Sequence, residues 1–156
     1  MAKTKAMSLK KAFNELLLNN GLSYNVFNGT NATTGYMVSM MGLEKQFNIK
    51  DFNYNDFLDY LSNNAPELWG NTRYLGGTII NDTVIMDVSV NLDDLAGACY
   101  TGIINKQDGI YDCVNKKYIY LPYGQYTGTE TQQKTYNLET SRKFAEDYLK
   151  SLLVTA

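Results

Sequence analysis

The sequence contains no histidine. That removes the one side chain whose ordinary pKa lies near neutrality. With it go Ser-His-Asp and Cys-His catalysis and every histidine-containing zinc site. Cysteine is nearly as scarce. Cys99 and Cys113 are the only two, too few for an all-thiolate zinc site, and their spacing is not that of a C-x-x-C redox motif. Two buried, reduced thiols are the expectation, because cysteine is among the most buried residue types. A Cys99–Cys113 disulfide is the alternative. No run of about 18 consecutive apolar residues occurs, so no membrane helix is expected. The first residues carry charge but no apolar stretch ending in a small-residue cleavage site, so a signal peptide is not expected either and the cytoplasm of some cell is the expected location. Three sequons, at Asn28, Asn31 and Asn81, then read as by-products of an Asn-rich composition.

A strong excess of either charge is missing as well. The net charge is −2. Residues 1–11 hold four Lys and no acid, residues 12–100 three basic and ten acidic groups, and residues 101–156 seven basic and six acidic ones. A chain-wide basic footprint for nucleic acid is therefore absent, and the acidic middle is too dilute for a dense DNA mimic. What the chain has in excess is tyrosine, with 13 Tyr against six Phe and one Trp. A tyrosine carries a large apolar ring with a hydrogen-bonding tip, which suits half-exposed interfaces. An Asn/Lys/Tyr-rich codon bias accounts for it equally well.

At 156 residues one domain is expected, since a chain of this size can bury about 70% of its unfolded surface. Ser8 precedes Leu9, Ala12, Phe13, Leu16 and Leu17 at helical spacing, and Asn19-Asn20-Gly21 ends that helix, with Gly21 supplying the left-handed conformation. Residues 23–35 read as a loop, with room for a short strand at Tyr24–Phe27. Gly35–Met41 and Phe47–Ile49 read as strands. Asn53 caps a helix with Tyr54, Phe57, Leu58 and Leu61 on one face, and Asn63-Asn64-Ala65-Pro66 closes it.

The sharpest local signal is a hairpin. Tyr74–Ile80 and Thr83–Val90 flank Asn81-Asp82, both able to take positive φ in a type I′ turn. Paired residues then sum to 163, so Gly76 faces Asp87, and Val84, Met86, Val88 and Val90 point to the core. Asn91 is read as the cap of a helix buried through Leu92, Leu95, Ala96, Cys99 and Ile103. Gly109–Val114 and Lys117–Leu121 read as two further strands. Residues 122–136 read as a long polar Tyr/Thr-rich loop, and Asn137 caps a last helix with a stripe of Leu138, Ala145, Leu149 and Leu152 and with Tyr148 beside it. The expected class is α+β: a single domain, 1–156, with a mainly antiparallel sheet around the central hairpin packed by three to four helices.

Candidate chemistry is sparse. Asp87 sits mid-strand, where Asp is disfavoured, opposite Gly76 and beside Gly77. Glycines inside a strand mark a bulge or a close approach. One reading is a carboxylate in a shallow groove floored by Gly76 and Gly77, available to a small hydrolase or nucleotide-binding protein. The other is a solvated acid on an open sheet face. Asp93 and Asp94 fit the first turn of a helix, where negative charge is favourable. No EF-hand, P-loop or dinucleotide fingerprint occurs, so no catalytic set, metal or cofactor is assigned. Lys116 and Lys117 lead into Tyr118, Tyr120, Tyr123 and Tyr126, a pattern that could track phosphates while stacking bases. It fits equally a strand edge guarded by lysine against pairing.

Gly35-Tyr36-Met37-Val38-Ser39, Tyr74-Leu75-Gly76-Gly77, Val84-Ile85-Met86-Asp87-Val88-Ser89 and Ile110-Tyr111-Asp112 together form a recurring pattern over residues 34–112. In it the chain resembles a group of small proteins encoded by phages, prophages and other mobile elements. It departs from that group at Thr78, where members often carry Trp. The resemblance transfers no catalytic residue. It implies a setting in which small accessory proteins bind and disable a host protein, a nuclease or other defence component in the sharpest, anti-CRISPR-like version. The partner surfaces expected on this basis are Tyr118, Tyr120, Tyr123 and Tyr126, and the acids Asp56, Asp59, Asp93 and Asp94, which could occupy a nucleic-acid channel of a partner. The alternatives are a nucleic-acid-binding protein using the Lys/Tyr patches, and the Asp87 enzyme.

Overall fold

The structure is a computed structural model that describes residues 7–121 and 138–154. The class is α+β, with antiparallel strand pairing and the central hairpin in the expected place. The chain divides into two compact units, Met1–Ala32 with Gly42–Val90, and Thr33–Met41 with Asn91–Ala156.

In the first unit, α1 spans Leu9–Asn19. Ser8 caps it by accepting from the Lys11 amide at 3.2 Å, satisfying one of the unpaired N–H groups of the first turn. Ala12, Phe13 and Leu16 are its buried face, whereas Leu17 is 39% exposed and falls outside the stripe. The left-handed stop is Asn20, at φ 58°. Gly21 was the expected stop, but it already begins β1, Gly21–Asn25. Asn tolerates this conformation because its short side chain bonds locally.

Next come β2 (Thr30–Asn31), β4 (Lys45–Asn48), α2 (Tyr54–Asn63), the four-residue α3 (Ala65–Leu68), β5 (Arg73–Ile80) and β6 (Thr83–Leu92). Asn53 and Asp56 form a reciprocal capping box on α2, at 3.0 and 3.1 Å, which fixes where that helix starts. The β5–β6 register is the expected one, with Ile80 opposite Thr83 and Gly76 opposite Asp87. The turn differs: of its two residues only Asn81 takes positive φ, at 55°, so it lacks the second positive φ of type I′.

Strand β5 also pairs with β1, and β6 with β4, all antiparallel. Two cross-strand rows, Leu22–Gly77–Met86 and Tyr24–Leu75–Val88, share the core face. Val84, Met86 and Val88 are fully buried on it. Leu16 of α1 lies so close over Gly77 that a Cβ there would sit 2.8 Å from its Cδ1. Phe13 meets Phe52, Tyr54 and Phe57 at ring distances of 5.8, 5.4 and 5.5 Å. Each such aromatic pair adds about 1 kcal/mol beyond area burial.

The second unit contains β3 (Tyr36–Ser39), α4 (Leu95–Ile104), β7 (Gly109–Asp112), β8 (Lys117–Tyr120) and α5 (Leu138–Val154). β7 pairs antiparallel with both β3 and β8. The cap of α4 is Asp94, which accepts from the Gly97 amide at 3.0 Å. Asn91 does not cap it. It lies in the long strand instead, which runs on to Leu92, and its Nδ2 donates to the Thr34 carbonyl at 2.8 Å. The helix therefore begins only at Leu95. Helix α4 lies against Val38, Ile110 and Leu121. A Cβ at Gly102 would come within 2.6 Å of Leu121 and 3.0 Å of Ile110, so a glycine that costs helix propensity is needed for contact.

On α5 the inward residues are Ser141, Ala145, Tyr148 and Leu152. Leu149, assigned to the stripe, is 46% exposed. Tyr148, expected beside the stripe, turns inward in its place, because its hydroxyl reaches the Asp112 carboxylate. Asn137 and the loop 122–136 lie outside the described residues. Among those described there are four longer helices and the single turn α3. No described helix is long and apolar enough to cross a membrane.

Candidate functional surfaces

The hairpin of β7 and β8 presents one side inward and one outward. Ile110 pairs with Ile119, and both are buried. Alternation then places Tyr111, Tyr118 and Tyr120 on the opposite side. Tyr111 and Tyr118 are direct cross-strand partners. Their exposures are 37% and 49%, and Tyr120 reaches 75%. The Tyr118 and Tyr120 rings meet edge to face, 4.9 Å apart at 77°. Tyr118 leans over Gly109, where a Cβ would overlap its ring. Glycine at this strand position thus lets an aromatic lie flat across the ladder. At the turn end Lys116, at φ 53°, and Lys117 are exposed, with Val114 63% exposed beside them. Of the four tyrosines expected at a partner surface, Tyr118 and Tyr120 therefore share one exposed face. Tyr123 and Tyr126 lie outside the described residues. Tyr111 was missed, and the strand register is the signal that finds it.

Asp112 anchors the same hairpin from inside. Its carboxylate is 1% exposed. Oδ1 accepts from the amides of Val114 and Asn115 at 3.0 and 3.1 Å, and Oδ2 from Asn115 Nδ2 at 2.8 Å and the Tyr148 hydroxyl at 2.9 Å. Burial opposes its charge, but these bonds outweigh burial and hold the carboxyl below its ordinary value. Tyr148 is pushed up, by burial and then by donating to Asp112. Tyr36, which pairs with Asp112, is pushed up by burial and by the charges nearby. Both cysteines are free and buried, so the thiol expectation holds and the disulfide does not. Burial, with Asp94 and Asp112 adding to it, raises Cys99 to about 12 and Cys113 to about 11. They stay protonated thiols at neutral pH, which is the unreactive form.

Asp87 faces Gly76 as expected, but Gly76 and Gly77 do not floor one groove. Residues adjacent in a strand point to opposite faces. Gly77 looks into Leu16, whereas the space above Gly76 is filled by the Asp87 carboxylate itself, which a Cβ on Gly76 would overlap. Asp87 is half-buried, and its charge, after burial, contributes to raising the pKa of Tyr60, whose hydroxyl donates to the Leu43 carbonyl at 2.7 Å. The four acids expected at a partner surface fall two to each unit. Asp56 and Asp94 are occupied as helix caps. Asp59 and Asp93 are exposed. Among the described residues no group of three His, Cys, Asp or Glu side chains could hold a metal ion.

Comparison with family models, with curated proteins and with solved structures found no match for this chain.

Proposed function

We propose that this protein is a non-catalytic accessory protein of a phage or other mobile element that works by docking on a host protein and disabling it, an anti-defence role of the anti-CRISPR kind being the sharpest form. The observation that carries the reading is the outer side of the β7–β8 hairpin, where Tyr111, Tyr118 and Tyr120 stand open to solvent on a strand pair braced from beneath by Asp112. Tyrosine offers contact area at a low cost in side-chain entropy, which is why it dominates binding surfaces. The resemblance of residues 34–112 to mobile-element proteins supplies the setting. Exposed Asp59 and Asp93 are the acids left available to such a partner.

The test is capture from host lysate by the wild-type protein, followed by binding of the purified captured protein to the Tyr118→Ala/Tyr120→Ala double variant. Affinity should fall by at least tenfold, about 1.4 kcal/mol, with no change in the urea midpoint. Undiminished affinity would remove the hairpin from the interface. A second reading, nucleic-acid binding, draws on the exposed Lys116 and Lys117 beside the same rings. It requires retention of single-stranded oligonucleotides at low salt and a steep loss of affinity as salt rises.

A further inference from the structure

Asn25, at the end of β1, is fully buried, and its amide joins two loops. Nδ2 donates to the carbonyls of Gly70, Asn71 and Arg73 at 3.0, 3.1 and 3.2 Å. With two hydrogens for three acceptors, one of them is shared. Oδ1 accepts from the amides of Phe27 and Asn28 at 2.8 and 2.9 Å. One of these loops carries Phe27. The other begins at Trp69 and turns immediately at Gly70, whose φ of 117° is open to glycine and costly for other residues. The two rings meet at 81°, with centroids 4.9 Å apart. They are held from below and open above: Trp69 is 71% exposed and Phe27 49%.

Size and charge narrow what this corner can take. Side chains of this kind bury about 150–250 Å² each when covered, so the open part of the pair is roughly 300 Å². A stable protein interface needs about 800 Å² per partner. The corner is the size of a single ligand ring. Residues 26–31, the last two of them β2, and loop residues 69–72 read Val-Phe-Asn-Gly-Thr-Asn and Trp-Gly-Asn-Thr, without one charged side chain. Asn28, Asn71 and Thr72 are exposed beside the rings. The charged residues that flank the second loop, Glu67 and Arg73, lie outside it, and Arg73 Nη1 turns back to donate to the Glu67 carbonyl at 3.4 Å; within the loops an ionic ligand meets no counter-charge. A ligand with a flat C–H face and neutral hydroxyls would find a π surface and amide and hydroxyl partners.

We propose that the Phe27–Trp69 corner is a binding site for one pyranose ring of a neutral oligosaccharide. One ring of the pair acts as floor and the other as wall, and Asn25 positions both before the sugar arrives, which lowers the ordering cost of binding. The proposal does not depend on the hairpin reading, and its residues all belong to the first unit.

Trp69 is the only tryptophan, so its emission reports the site directly. The full-length protein is titrated with cellotetraose, maltotetraose and chitotetraose at low and at high salt. At least one should give a saturable change in emission at millimolar sugar, insensitive to salt. Phe27→Ala, which keeps the reporter, should weaken that response at least tenfold while leaving the thermal midpoint within a few degrees. Trp69→Ala should abolish heat of binding in calorimetry. A flat emission with all three sugars overturns the proposal, as does a response that Phe27→Ala leaves intact. A change in emission with protein concentration alone would also overturn it, by assigning the rings to a contact between copies.

Discussion

The hydroxyl of Tyr148 on α5 donates to the Asp112 carboxylate on β7 at 2.9 Å, across 36 residues of sequence. The same carboxylate receives the two turn amides of the β7–β8 hairpin. One buried charge thus fastens both the hairpin turn and a helix. Removing one partner of a buried charge costs more than the bond's net worth, because the remaining groups are left unsatisfied. Asp112→Ala should destabilise by about 3 kcal/mol. Tyr148→Phe, which removes a single bond to a charged group, should cost about 1.5 kcal/mol. Urea unfolding of the two variants and of the double variant checks this. A double variant no worse than Asp112→Ala marks the coupling, and full additivity would contradict it.

Acid should loosen the protein through the same group. The folded-state pKa of Asp112 is depressed, so its contribution is fully present above the unfolded-state value of about 3.9 and is lost as pH falls through the lower folded-state value. Tyr148 and Tyr60 are shifted the other way, upward. Their contribution is present below the ordinary tyrosine value of about 10 and declines as pH rises beyond it. Unfolding free energies measured from pH 2 to 11 should fall at both ends. Replacing Asp112 with Ala should flatten the acid limb.

Neither thiol should react in the folded state. Cys99 and Cys113 are buried and free, with pKa values raised by burial to about 12 and about 11. A colorimetric thiol reagent should therefore label two groups per chain in denaturant and fewer than about a tenth of that in native buffer at pH 7.5, since the thiolate is the reacting form. Fast native labelling of either cysteine would show that its cover opens.

The Gly76–Asp87 pair predicts a compensating double variant. A methyl on Gly76 would overlap the Asp87 carboxylate, so Gly76→Ala should destabilise by about 1–3 kcal/mol, the usual cost of overpacking. Adding Asp87→Ala clears the space. If the overlap is the cause, the double variant should recover at least about 1 kcal/mol relative to the sum of the single changes. Strict additivity in thermal or urea unfolding would place the origin elsewhere.

The sequence determined what depends on near neighbours. The helix starts at Ser8 and Asn53 were legible because a cap bonds amides two or three residues on. The β5–β6 register was legible because a two-residue connection admits one pairing that keeps Val84, Met86 and Val88 on one face. The α4 start differs because Asn91 and Asp94 are both capping residues, and only the distant Thr34 carbonyl, which takes the Asn91 amide, separates them. What the tertiary structure alone decided is which polar groups become fixed inside. Asn25 and Asp112 look like ordinary loop and strand-end residues in the chain. They become fully buried junctions because, beside their local amide partners, they reach the carbonyls of Gly70, Asn71 and Arg73 and the hydroxyl of Tyr148, which lie 36 or more residues away. A hydrogen bond depends on distance and angle in space, which local spacing fixes only within a turn or a cap. The placement of Tyr111 with Tyr118, and of Phe27 against Trp69, is likewise a product of strand pairing and loop closure.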